Sequence, residues 1–245
     1  TCLCLNAYGY EMSKSAFRSN SLLDFYEPFD RSCPIYAGFN SFVTISHGNL
    51  RHILEICYKI FIQVQDFNHK LPKEIDPLMQ AEGVKEASRY LLEKVKDCGD
   101  EGNRLYDFVN RLGHLYSINR RSKIKSRTEI IQFSIIGGTY KNKNKIMDFI
   151  NESIKHSILL DFQGNQRFDQ NNPDLINYVL NPIFSPYFMI SYRKKRRLDL
   201  RAEQLEILVD GTEDDYKKLA SLFSEESTLA DENQLEFKFS ENNDN

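Results

Sequence analysis

Residues 143–162 read KNKIMDFINESIKHSILLDF, and this stretch decides the fold. Ile146, Phe149, Ile150 and Ile154 fall on one face of a helix spanning Lys143–His156, because apolar residues three and four apart align at a 3.6-residue period. The chain then runs without a breaker into Ile158–Phe162, an apolar run of strand length. Gln163-Gly164-Asn165-Gln166 is a turn, so the new strand needs a partner further on. The expected partner is Met189–Leu200, reached through a loop-like Asp174–Phe188 that contains Asn181-Pro182 and Ser185-Pro186.

Upstream, Ile130–Ile135 reads as a short strand ended by Gly137-Gly138, preceded by a basic connector. Before it, one helix is predicted over about 78–97, with Met79, Val84, Ala87, Leu91 and Val95 on one side. Asp100-Glu101 opens another, whose stripe is Leu105, Phe108, Val109, Leu112 and Leu115; acidic residues suit the positive end of its dipole. Downstream, helices fit about 201–209 and 213–223. Helices followed by a helix that feeds a strand, a loop and a return strand make the order of a winged helix-turn-helix, with Lys143–His156 as the recognition element. A generic α+β domain with a hairpin has the same order.

The N-terminal part differs in character. Residues 1–38 are irregular, rich in Tyr, Phe and Ser, and broken by Pro28 and Pro34. Ser46 is expected to cap a helix running to about Val64, with Leu50, Ile53, Leu54, Cys57, Ile60, Phe61 and Val64 as its apolar stripe. Leu71-Pro72-Lys73 and Asp76-Pro77 then punctuate the chain. The expected division is a helical segment at 1–72, a winged-helix domain at 73–223 and an acidic, mobile tail at 224–245. The fold class is therefore α+β, mostly helical.

Composition bounds the chemistry. With 41% hydrophobic and 27% charged residues, the 245-residue chain has the make-up of a globular protein, and its longest apolar runs are too short to span a bilayer. Thr1 is followed by no targeting signal and reads as the start of a fragment, while the polar end at Glu236–Asn245 reads as a C-terminus. Five cysteines, Cys2, Cys4, Cys33, Cys57 and Cys98, form no paired knuckle and no even disulfide framework, so they are read as thiols in a reducing, cytoplasmic compartment. His47, His52, His69, His114 and His156 are scattered, and Asp161, Asp169 and Asp174 lack calcium-loop spacing, so no metal site is assigned. No serine or cysteine sits in a nucleophile elbow.

One short string carries more. Ile45-Ser46-His47-Gly48-Asn49-Leu50-Arg51-His52 resembles the sensor-2 motif that opens a lid helix in AAA+ ATPases, particularly the initiator type related to origin-recognition proteins. The resemblance implies that Gly48 and Asn49 form a tight turn and that Arg51, in the first helical turn, is a nucleotide-sensing arginine. A guanidinium there pairs with a γ-phosphate and reports its loss. The family's lid is followed by a winged helix, the order read above, and the resemblance covers about residues 35–205. It implies ATP and Mg as cofactors, held by an ATPase core upstream of Thr1. No G-x-x-x-x-G-K-[ST] phosphate loop and no acid-tipped hydrophobic strand occurs in this sequence, so it carries no complete catalytic site and should not hydrolyse ATP alone.

Basic residues cluster in three places: Arg120, Arg121, Lys123, Lys125 and Arg127; Lys141, Lys143 and Lys145; and Arg193, Lys194, Lys195, Arg196 and Arg197. On a winged helix these can converge as a phosphate footprint, and for the last run a solvated charged face is an equal alternative. Tyr192 and Phe188 are placed to stack on bases or to fill the core. Two functions remain open. One is an ATP-dependent DNA-binding protein, with DNA and a homo-oligomer as partners. The other is a subunit-docking module, and the resemblance also allows a setting in nucleic-acid surveillance or defence against mobile elements. Neither involves a membrane.

Overall fold

A computed structural model of the protein describes residues 18–29, 31–68, 74–121, 130–162, 176–193 and 196–234. Among the described residues five helices come first: α1 (Arg18–Tyr26), α2 (Phe39–Ser46), α3 (Leu50–Asn68), α4 (Pro77–Glu93) and α5 (Gly102–Arg121). Then follow β1 (Ile130–Ile135), α6 (Lys143–Lys155), β2 (Leu159–Phe162), β3 (Asn177–Leu180), the short α7 (Ser185–Phe188), β4 (Arg196–Leu200), α8 (Ala202–Asp210) and α9 (Glu213–Gln234). The fold is α+β and mostly helical, with one mixed four-stranded sheet in the order β2-β3-β1-β4.

The central helix is α5. Leu105, Phe108, Val109, Leu112 and Leu115 are fully buried on it, and each such side chain contributes about 1.5–3 kcal/mol by leaving water. They meet Ile131 and Phe133 of β1 and the buried face of α6, Ile146, Phe149 and Ile150; the rings of Phe108 and Phe149 pack edge to face at 5.3 Å. The same core takes in Tyr36, whose hydroxyl donates to the Ile190 carbonyl at 2.7 Å and so pins the N-terminal segment behind α7. Helices α3 and α4, on either side of residue 72, pack face to face.

Three expectations are corrected. The helix expected from Ser46 starts later: Ser46 is the last residue of a separate helix, α2, and α3 begins at Leu50. His47 is left-handed (φ 49°) and Gly48 more so (φ 76°), which turns the chain sharply between α2 and α3. The Ser46 hydroxyl is spent on the Val43 carbonyl, and the cap of α3 is Asn49, whose Oδ1 accepts from the Arg51 amide at 3.0 Å.

The return strand is also misplaced. Antiparallel to β2 runs β3, with Leu160 opposite Val179, inside the stretch expected to be a loop; β1 then pairs antiparallel to β3, with Phe133 opposite Tyr178. Pro182 and Pro186 suggested a loop, yet they start a 3-10 turn and α7, where a missing N–H breaks no hydrogen bond. Asn181 holds the corner, receiving the Ile183 amide at 3.1 Å and donating to the Ser157 carbonyl at 2.8 Å. Of Met189–Leu200 only β4 is strand, and it lies parallel to β1 on the far edge, with Leu198 and Leu200 buried.

Finally, α9 does not stop at Phe223 but continues to Gln234. Thr212 opens it by a reciprocal cap with Asp215, and no Gly or Pro interrupts the sequence before its end.

Candidate nucleotide-sensing and nucleic-acid-contacting residues

Gly48 and Asn49 present Arg51 at the start of α3. The guanidinium is exposed and makes no hydrogen bond or ion pair among the described residues. His52 beside it is half-buried; loss of hydration first, and the Arg51 charge after it, hold its pKa below the usual imidazole value. Along the same helix Leu50, Leu54, Tyr58 and Phe61 are 67%, 60%, 57% and 45% exposed, a single uncovered stripe, whereas Ile56, Ile60 and Val64 face the core. The predicted apolar stripe of this helix is thus only partly inward.

The first basic cluster does not act as one. Arg120 is buried, with its guanidinium bonded to Asp24 and, at 2.5 Å, to Glu27. That withdraws Arg120 from any DNA-contacting surface: it is a structural ion pair that ties α5 to α1. Arg121 is exposed and bonded to Glu27 at 2.5 Å. Lys123, Lys125 and Arg127 lie outside the described residues.

The second cluster, at the start of α6, faces carboxylates. Lys145 pairs with Asp210 at 2.8 Å, and Asp210 also receives the Arg104 guanidinium at 2.7 Å. Glu206 accepts the backbone amides of Lys141 and Asn142 at 2.7 and 3.0 Å, and Glu203 accepts that of Thr139 at 2.6 Å. Helix α8 therefore places three carboxylates where the α6 N-terminus is positive, and the Thr139 amide, followed by Glu203's own, holds the Glu203 carboxyl below the usual range. Sequence reading missed these partners, although Glu203, Glu206 and Asp210 stand three and four apart on one predicted helix. Lys141 and Lys143 keep exposed side chains.

In the third run, Arg193 is exposed and its amide bonds to Ser191, while Arg197 pairs with Asp199 at 2.9 Å. Arg196 opens β4; Lys194 and Lys195 lie outside the described residues. Since β4 pairs with β1 on one side only, the run starts an open sheet edge. Phe188 is buried, and the Tyr192 hydroxyl donates to the Ile35 carbonyl at 3.2 Å, so both belong to the core.

Among the described residues no group of three or more His, Cys, Asp or Glu is close enough to hold a metal ion, and no helix is long and apolar enough to cross a membrane. Cys33, Cys57 and Cys98 are free thiols, and burial pushes Cys33 up to about 11, which leaves it protonated and inert.

These features define a mostly helical α+β protein in which an arginine without a partner among the described residues opens one helix and basic residues flank a small mixed sheet. A family model described as ORC-CDC6-like matches residues 10–200. The chain belongs to the ORC-CDC6-like family, which carries an origin-recognition/CDC6-type relation to AAA+ ATPases. Neither the curated proteins nor the solved structures gave a match.

Proposed function

We propose that the chain is the lid and winged-helix portion of an initiator-like AAA+ ATPase, which couples nucleotide state to DNA engagement. The observation that carries this reading is Arg51: the Gly48 turn and Asn49 cap aim it, and nothing among the described residues pairs with it. On this reading residues 1–72 are lid-like, 73–223 contain the winged helix and 224–245 are a tail. ATP and magnesium are held by a core outside these 245 residues, on which the uncovered stripe of α3 docks. Nucleotide holds the lid closed through Arg51, and hydrolysis releases it. The assembly works in the cytoplasm as a homo-oligomer on DNA. The unit β1-α6-β2-β3 supports the winged helix by its strand order, with a single helix between β1 and β2.

In the full-length protein, Arg51→Ala is expected to slow ATP turnover or abolish nucleotide-dependent DNA affinity by at least about tenfold, the loss of one charge-assisted hydrogen bond. Unchanged turnover and DNA affinity would remove Arg51 from the mechanism. The DNA half is tested by low-salt binding of a fluorescent duplex, repeated with residues 193–197 changed to Gln. Binding should be lost, and the slope of log K against log salt should flatten by roughly 0.9 for each phosphate contact removed.

A second reading, a subunit-docking module, is favoured by the carboxylates of α8 on the α6 N-terminus, which oppose a phosphate there. If the wild-type chain fails to bind duplex at low salt, this reading replaces the first.

A further inference from the structure

Beyond β1, β4 pairs with no further strand among the described residues. The Leu200 carbonyl accepts the Ile136 amide at 2.8 Å, which turns the Leu200 backbone toward β1. Backbone direction alternates along a strand, so the N–H and C=O of Asp199 point away from β1, into the open edge. Leu198 and Leu200 are buried on one face of β4, and Asp199 is exposed on the other. Such an edge is a template for one more strand. A matching strand is apolar on the first face and polar on the second.

The chain contains that sequence. Leu235-Glu236-Phe237-Lys238-Phe239-Ser240 alternates apolar and polar at every position, the period of a half-buried strand and not of a helix. It directly follows Gln234, the last residue of α9; residues 235–245 lie outside the described residues. Charge favours the same match. Residues 225–245 hold seven carboxylates and one lysine, whereas the five consecutive basic residues 193–197 lead into β4.

Reach decides whose edge is met. Asp210, just before α9, pairs with Arg104, and Tyr216 on α9 donates to the Arg111 carbonyl. Helix α9 therefore advances along α5 toward Arg121, the end of the molecule where β1 begins and, opposite Ile130, β4 begins. Its 22 residues extend about 33 Å, while a strand of five or six residues spans about 17–20 Å. The helix thus carries Leu235 roughly 10 Å past its own sheet, and residues 235–239 are used up in coming back. The edge of a neighbouring copy has no such deficit.

We propose that residues 235–239 of one copy add as a strand to the β4 edge of a second copy. Leu235, Phe237 and Phe239 continue the apolar face of Leu198 and Leu200, and the acidic tail meets the basic run that opens β4. Reciprocal exchange closes a pair of copies, and one-way exchange extends a chain of them. The inference stands apart from the ATP and DNA reading, since it uses neither Arg51 nor a phosphate contact.

The test is sedimentation velocity of the full chain over a concentration series, with two proline variants. Phe237→Pro removes an N–H from the donated strand, and Asp199→Pro removes the one that faces the open edge. The wild type should rise to two copies or more, and each variant should associate at least about tenfold more weakly. Mixed together, the variants supply one intact edge and one intact tail, and should form a one-to-one pair and nothing larger. Amide exchange at Asp199 should slow in the wild type as concentration rises. If Asp199→Pro fails to fold, as circular dichroism would show, Phe237→Pro decides the matter by itself. A wild type that stays single at every concentration, or association that survives Phe237→Pro, overturns the proposal. So does an Asp199 amide protected equally at all concentrations in the wild type and unprotected in Phe237→Pro, which assigns the tail to its own edge.

Discussion

Arg120→Ala is expected to lower stability by about 3 kcal/mol, seen as a fall in the urea midpoint at neutral pH without loss of cooperativity. Removing one partner of a buried ion pair costs about 3–5 kcal/mol because the other charge is left unpaired. The lower end applies because Asp24 and Glu27 keep 41% and 27% of their side chains in contact with solvent, whereas Arg120 keeps 3%. The loss should also depend on pH. Burial pushes the Glu27 carboxyl up, but the hydrogen bond and charge of Arg120, helped by Arg121, bring it below its ordinary value of 4.5. A depressed carboxylate contributes stability that is fully present above the unfolded value and disappears as pH falls through the folded one. The gap between wild type and Arg120→Ala should therefore narrow below about pH 4.5. A difference under about 0.5 kcal/mol at pH 7 would mean that the pair contributes nothing net, as exposed pairs often do.

Gly83→Ala should be nearly as damaging for a different reason. Gly83 lies on α4 where α3 crosses it, and a Cβ there would stand 2.5 Å from Ile60 Cγ1, 2.7 Å from its Cα and 2.8 Å from its amide nitrogen. A side-chain tip can swing away; a helix backbone cannot without moving the helix. Overpacking of this kind costs about 1–3 kcal/mol and occasionally more, against about 1 kcal/mol gained from the better helix propensity of alanine. A net destabilisation of about 2 kcal/mol is expected. Because α3 also carries Arg51, the proposed function adds the expectation that the displaced helix weakens any nucleotide-dependent DNA binding more than thermal stability alone explains. A variant as stable as the wild type would show that α3 and α4 tolerate separation.

Much of the fold is legible in the residues. The apolar spacing of Leu105, Phe108, Val109, Leu112 and Leu115 defines α5, that of Ile146, Phe149 and Ile150 defines α6, and Ile130–Ile135 is a strand with the predicted bounds. Local pattern suffices there because each element buries one face and the period announces it. The return strand failed for the same reason. Asn177–Leu180 is four residues long, too short for alternation to show, and the prolines after it look the same in a loop as at a helix start.

The candidate site divides along similar lines. Gly48-Asn49-Leu50-Arg51 is a local device, and the turn, the cap and the position of Arg51 follow from residues within reach of one another. Charge clusters are not local. Arg120 and Arg121 are neighbours in sequence, yet a helix sends adjacent side chains about 100° apart, so one is buried against Asp24 and Glu27 and the other stays at the surface. Lys145 meets Asp210 across 65 residues without any spacing that links them. By itself the sequence determined helix period, the Gly48 turn and family membership, because these depend on neighbours along the chain. Only the tertiary structure decided which cations are buried against carboxylates and which stay at the surface, because burial and pairing depend on elements brought together from distant parts of the chain.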